Sequence, residues 1–372
     1  MNFEFSDEQK MLREQAASFL KEKSPLTAVR EIYEGDQAYQ RDLWQQMAAL
    51  GWMSTTIPEQ YGGIGLGSLE LCVIAEELGR SLASTPFSSS VYLATEALLM
   101  AGSEAQKQNY LPQLASGELI GCFALSEGPS AASENNLCTR FKGGSLSGTK
   151  LPVTDGNVAD FAIVCANDDT GVSWYLVDLH EQGVQRKPVR SLDPSRDQAL
   201  IEFNNAPAQL LGTAGQGWHA TNALYNRAAV LFAFEQTGGA LAALDQAREY
   251  ALQRYAFGRP IASFQAIKHK LADMYAVATL ARSNCYYGAW ALSTDAPELA
   301  LAAATARVSA TRAYNECASE NIQTHGGMGF TWEFDCHFHL RRARVLALNL
   351  GSQYQWEDKL VTALEHRDQA AA

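Results

Sequence analysis

With 372 residues, 47% of them hydrophobic and 19% charged, the chain is long enough to bury more than one core, so two or three compact units are expected. Its formal net charge of -12 repels polyphosphate backbones, and the one dense basic cluster is Arg341, Arg342 and Arg344, which argues against nucleic acid as a partner. No apolar run approaches the roughly 18–20 residues that span a bilayer, since Ala228 to Phe234 is interrupted by Glu235, so no membrane span is expected.

In chain order, the first segment opens with acids where a secretory signal would carry positive charge, and a cytoplasmic protein is expected. Ser6 followed by Gln9 makes a capping box ahead of Met11, Leu12 and Phe19, which predicts a helix start. Pro58 and the run from Tyr61 to Ser68 interrupt the helical pattern, and helix resumes at Leu69 to Leu78. From about Ile120 to Phe203 the period changes to two, as in Phe161-Ala162-Ile163-Val164-Cys165, bounded by Gly, Asn and Asp. After Gly217 long helical patterns return over roughly 218–255, 264–291, 297–325 and 334–366. The expected fold is an α+β multidomain chain: an N-terminal all-α domain over 1–118, a middle antiparallel β-domain over 119–208, and a C-terminal four-helix bundle over 209–372. The seven cysteines form an odd set without Cys-x-x-Cys spacing, which points to reduced thiols.

Two segments carry more information. Tyr250 to Ile261 joins one long helix to the next, which begins near Gln265; as an inter-helix turn, Gly258 suits the left-handed position and Pro260 sets the next helix start. Gln323-Thr324-His325-Gly326-Gly327-Met328-Gly329 has glycines that let the backbone approach a bound group closely. With Pro58-Glu59-Gln60-Tyr61-Gly62-Gly63, Cys122 to Glu127, and Leu146 to Thr154, in this order over almost the whole chain, they resemble the acyl-CoA dehydrogenase family.

The resemblance implies FAD bound between the β-domain and the bundles of two subunits. Phe123, Leu125 and Ser126 would line the flavin ring, with Thr154 reaching it from the next strand. Arg254, Phe257 and Gln265 would contact the pyrophosphate and adenosine half from a neighbouring subunit, with Gln323, Gly326 and Gly327 nearby. An Arg suits phosphate because its fork matches the oxygens, although Arg254 also reads as a cation at a helix C-terminus. Two departures stand out. The family's Trp two residues before the Thr is Pro152 here, and its Thr-Glu-Pro-Gly-x-Gly-Ser-Asp loop is replaced by Ser126-Glu127-Gly128-Pro129-Ser130-Ala131-Ala132-Ser133.

Dehydrogenation of a thioester needs a carboxylate to take the α proton while flavin accepts a hydride from the β carbon. The family's usual base position, late in the last domain before a Gly-Thr pair, corresponds to Leu350. The alternative on the first bundle helix corresponds to Ala228 or Asn226. Glu235 is a candidate substitute, two helical turns from Ala228 and about 10 Å away; the competing reading is a buried acceptor paired with an Arg. His337 and His339 diverge on a helix, lack an obvious third ligand, and read as solvent or interface histidines rather than a metal site.

The expectation is therefore an FAD-containing acyl-CoA dehydrogenase acting on an acyl-CoA thioester and passing electrons to an electron-transfer flavoprotein. It would be either a homo-oligomer or the base-lacking subunit of a heterotetramer with a related chain. A non-catalytic acyl-CoA or protein-binding module, and a flavin monooxygenase, are the alternatives on the same fold.

Overall fold

The computed structural model describes residues 5–371. Its helices are α1 (Asp7–Lys23), α2 (Leu26–Glu34), α3 (Arg41–Ala49), α4 (Ser68–Arg80), α5 (Glu96–Ala101), α6 (Glu104–Ala115), α7 (Gly217–Gln253), α8 (Gln265–Ser293), α9 (Leu299–His325), α10 (Cys336–Leu346) and α11 (Gln353–Ala371). The strands are β1 (Gly121–Ala124), β2 (Arg140–Lys142), β3 (Ser145–Thr154), β4 (Phe161–Asp168), β5 (Gly171–Asp178), β6 (Val184–Pro188), β7 (Gln198–Pro207) and β8 (Gln209–Leu211), with a short pair β9 (Tyr255–Ala256) and β10 (Arg259–Pro260). The expected sequence of helical, β and helical segments is present. These elements form two compact units.

One unit contains Ile32–Gly67 and Ser84–Ala228 and is built on the sheet. Its strand order is β6-β7-β3-β2-β4-β5-β8, with β1 also on β4. The sheet is mixed rather than purely antiparallel, because β1 and β2 both run parallel to β4. The chain leaves β1 and makes the β2–β3 hairpin before it enters β4 from the same end as β1; parallel neighbours need such a long connection. Both faces of β4 and β5 are covered, so their alternation gives way to continuous burial from Phe161 to Ala166 and from Val172 to Val177.

The other unit holds the chain up to Glu31, Ser68–Ala83 and everything from Ala229 onward. The capping box at the start of α1 forms as expected: Gln9 N–H donates to Ser6 Oγ at 3.2 Å and Ser6 N–H to Gln9 Oε1 at 2.9 Å. α4 and α7 meet backbone to backbone. A Cβ placed on Gly79 would lie 1.8 Å from the Glu235 carbonyl oxygen, and one on Gly238 would lie 1.9 Å from that of Glu76.

The fourth bundle segment, expected as one helix over 334–366, is two. Gly351 takes φ +101°, and Ser352 then caps α11 with Gln355 in a further capping box, like those of Ser6 with Gln9 and Ser103 with Gln106. Trp356 Nε1 donates to the Leu350 carbonyl at 3.1 Å and fastens the break from below. All seven cysteines are free thiols, and Cys138 alone is exposed. Among the described residues no helix is long and apolar enough to cross a membrane.

Glu77 of α4 gives this unit a pH dependence. It is 5% exposed, and burial, reinforced by Glu76, pushes its carboxyl from 4.5 up to about 7 against Arg80, Arg13 and Arg282. A raised carboxyl binds its proton more tightly folded than unfolded, so its contribution is fully present below pH 4.5 and is lost as pH rises through about 7. Glu77→Gln is therefore expected to stabilise the protein at pH 8 by up to about 3 kcal/mol and to leave it unchanged at pH 4.5. Melting temperatures of the two proteins at both pH values check this; an equal gain at both would contradict it.

Candidate active site

On the sheet unit, β1 delivers Phe123 and Leu125, each 8% exposed, to the end of the strand where Ser126 becomes half-buried. Phe123 is held edge-on by Trp174 at 5.5 Å and by Tyr225 at 6.0 Å between ring centres. Trp174 is in turn fixed by donating Nε1–H to Thr221 Oγ1 at 2.9 Å. Beyond β1 the chain runs beside β3: Leu151 N–H donates to the Ser126 carbonyl and Gly128 N–H to the Leu151 carbonyl, both at 2.8 Å. Thr154, at the end of β3, shares hydrogen bonds of 3.2 and 3.4 Å with the Gln198 amide. The structure thus brings Ser126 and the 151–154 stretch onto one rim, with Pro152 exposed where the family's Trp would stand.

On the helical unit, the two glycine-bearing segments leave the same end of the bundle. Tyr250, near the end of α7, stacks on His325 at the end of α9 with ring centres 4.1 Å apart. Past Tyr250 the chain makes the β9–β10 hairpin, with Phe257 at φ +52° and Gly258 at φ +78° occupying the left-handed turn. Gly258 was the expected left-handed residue; Phe257 is an addition, and a non-glycine there carries about 1–2 kcal/mol of strain. Its ring is 95% exposed. Arg254 is also exposed, its carbonyl closing the hairpin with Ile261 N–H at 2.8 Å, and Gln265 starts α8 within 3.3 Å of His269 Nε2. Gln323 is exposed and its carbonyl accepts from Gly326 N–H. A Cβ on Gly258, Gly326 or Gly327 would meet nothing within 4 Å. An exposed guanidinium, a bare aromatic ring and open glycine backbone fit a group with phosphates and a flat ring system lying over this end.

No carboxylate stands at the base positions. Leu350 is 3% exposed in the break between α10 and α11, Ala228 is fully buried, and Asn226 is neutral and half-buried. Glu235, 1% exposed, lies in the bundle core with Arg342 Nη1 3.8 Å from its carboxylate. A second buried guanidinium, Arg307, feels the Glu235 charge; burial brings Arg307 down to about 10 while Glu235 opposes that fall. Arg307 donates to Gln236 Oε1 at 2.7 Å and to the Leu346 carbonyl at the end of α10. These surroundings match the acceptor-paired-with-Arg reading of Glu235.

His339 differs from expectation. It is 3% exposed, its Nδ1 lies 3.1 Å from the Tyr314 hydroxyl, and burial pushes it down to about 3, so it is a neutral core residue rather than a solvent or interface histidine. His337 stacks on Trp332 with ring centres 4.6 Å apart and is likewise pushed down to about 4 by burial. Sequence spacing on α10 gives both residues equal claims to solvent; only the packing of α9 against that helix separates them. Lys150, Glu127, Trp174 and Tyr225 carry weight that the sequence reading missed. Trp174 is signalled in the sequence as a Trp inside the apolar run of β5, whereas β3 is a largely polar strand and only its place in the sheet shows Lys150 to be buried.

Residues 6–118 match the N-terminal domain of acyl-CoA dehydrogenase, and residues 215–355 match its C-terminal domain. An acyl-CoA dehydrogenase of Bacillus subtilis (strain 168) is 33% identical over 364 residues, which are 93% of this chain and 95% of that protein. The structure of butyryl-CoA dehydrogenase from Megasphaera elsdenii is similar with a TM-score of 0.90 and 26% identity, over 98% of this chain and 100% of that one. The ChsE4-ChsE5 complex from Mycobacterium tuberculosis is similar with a TM-score of 0.88 and 27% identity, over 98% of this chain and 99% of that chain. With a relative one-third identical along nearly its whole length and both family domains matched, this chain belongs to the acyl-CoA dehydrogenase family of oxidoreductases.

Proposed function

We propose that this chain is the FAD-binding, base-lacking subunit of a heteromeric acyl-CoA dehydrogenase, organised as domains over 1–118, 119–208 and 209–372. The observation that carries the reading is the pair of vacated base positions, Leu350 and Ala228 or Asn226, together with a Glu235 already committed to buried arginine. That the ChsE4-ChsE5 structure is a complex of two named chains supports the heteromeric form. FAD, when bound, supplies the acceptor for the hydride leaving the β carbon of the thioester. Phe123, Leu125, Ser126 and Thr154 would hold the ring through the β1 and β3 rim, and Arg254, Phe257, Gln265, Gln323, Gly326 and Gly327 would hold the pyrophosphate and adenosine half. Leu350 cannot accept a proton, but its backbone N–H can polarise a thioester carbonyl, which needs no side chain. The α proton would go to a carboxylate of the unlike partner chain, and electrons would pass to an electron-transfer flavoprotein.

The test is an anaerobic titration of the purified, FAD-loaded chain with a panel of acyl-CoA thioesters. The expected result is bound flavin that no thioester bleaches until the partner chain is added. Sustained turnover by this chain alone would overturn the proposal, and so would failure to take up FAD.

A further inference from the structure

β3 carries Lys150 into the sheet with its side chain 0% exposed. Its ammonium donates to the Leu125 carbonyl at 3.0 Å and to Glu127 Oε1 at 2.7 Å. Glu127, its side chain 14% exposed, also accepts from the backbone N–H of Cys138 at 2.5 Å and of Thr139 at 3.0 Å. One carboxylate therefore joins the end of β1, the middle of β3 and the lead into β2. Burial alone pulls the Lys150 ammonium down, and Glu127 opposes that by hydrogen bond and charge. Burial would raise Glu127, but Lys150 and the two backbone donors outweigh it and hold the carboxyl low.

The arrangement has a specific geometric result. Ser126 and Gly128 are tied to Leu151 by backbone bonds, whereas the Leu125 carbonyl is met by a side chain. The direction of that carbonyl, and of the peptide joining Leu125 to Ser126, thus depends on one ammonium. Glu127 keeps the acid of the family's loop, which departs from that pattern from Gly128 onward.

We infer that Lys150, neutralised by Glu127, is a positioning residue that sets the Leu125–Ser126 backbone against the flavin ring. This rests on the FAD-binding reading above. The ammonium is fully buried between the Leu125 carbonyl and Glu127, so it would act on the flavin through the carbonyl it holds.

The experiment compares the full chain with Lys150→Met and with the double variant Glu127→Gln/Lys150→Met, which removes both charges from the interior. FAD dissociation constant, flavin absorption spectrum, flavin midpoint potential and melting temperature are measured for each. Lys150→Met is expected to weaken FAD binding about tenfold and to shift the spectrum and potential, the loss of one hydrogen bond to a charged group. The double variant is expected to regain melting temperature without regaining the wild-type spectrum or affinity, and it carries the test if the single variant does not fold. Wild-type affinity, spectrum and potential in a well-folded double variant would overturn the inference while leaving the FAD reading intact. A wild-type chain that takes up no FAD would overturn both.

Discussion

Gly79→Ala is expected to destabilise the helical unit by about 3 kcal/mol or more, because the added methyl has nowhere to go. Its Cβ would stand 1.8 Å from the Glu235 carbonyl oxygen and 2.8 Å from the Glu235 Cα, both backbone atoms of a long helix that cannot rotate away as a side chain could. The contact is reciprocal: Gly238 faces the Glu76 carbonyl as Gly79 faces that of Glu235, so α4 and α7 cross at two glycines, each three residues after the carbonyl it offers the other helix. Close approach of this kind admits Cα–H···O contacts and wider dispersion contact, both lost when the helices are pushed apart. Urea midpoints for Gly79→Ala and Gly238→Ala measure the effect. A loss below about 0.5 kcal/mol in either, the size of an ordinary surface change, would show that the helices yield easily.

The second large effect comes from the buried charges beneath that crossing. Glu235→Leu is expected to cost about 3–5 kcal/mol, since it strands the Arg342 and Arg307 guanidiniums in the core without their carboxylate. The double variant Glu235→Leu/Arg342→Met should recover much of that loss, because replacing both partners by apolar groups removes the desolvation cost along with the attraction. Arg307 retains Gln236 and the Leu346 carbonyl in either case. A double-mutant cycle read by chemical denaturation checks the claim. Strictly additive losses would mean that the two residues do not act as a pair.

Much of this architecture is legible in the sequence because it is local. Ser6 and Gln9 announce α1, and Gly258-Arg259-Pro260 announces the turn before α8. The same local grammar fails where a stronger periodic signal overrides it. Ser352 and Gln355 form the same capping signature as Ser6 and Gln9, but the apolar pattern on either side of Gly351 masks the break. Direction and partnership are not local at all. A short apolar run bounded by Gly, Asn and Asp identifies β4 as a strand but says nothing of its running parallel to β1, and nothing near Glu235 in sequence names Arg342 as its partner. The candidate flavin residues were read from the resemblance to a family, whereas Lys150 becomes visible only when β3 is seen delivering an ammonium to a carbonyl at the end of β1.

Phe257 holds a backbone angle that most residues avoid and leaves a whole benzyl group in water. Whatever settles over that hairpin finds a rigid, pre-shaped apolar surface whose covering releases about 1.5–3 kcal/mol of hydration free energy. The hairpin therefore holds a reserve of affinity on its outside, at the tip of a turn too short to fold back and consume it.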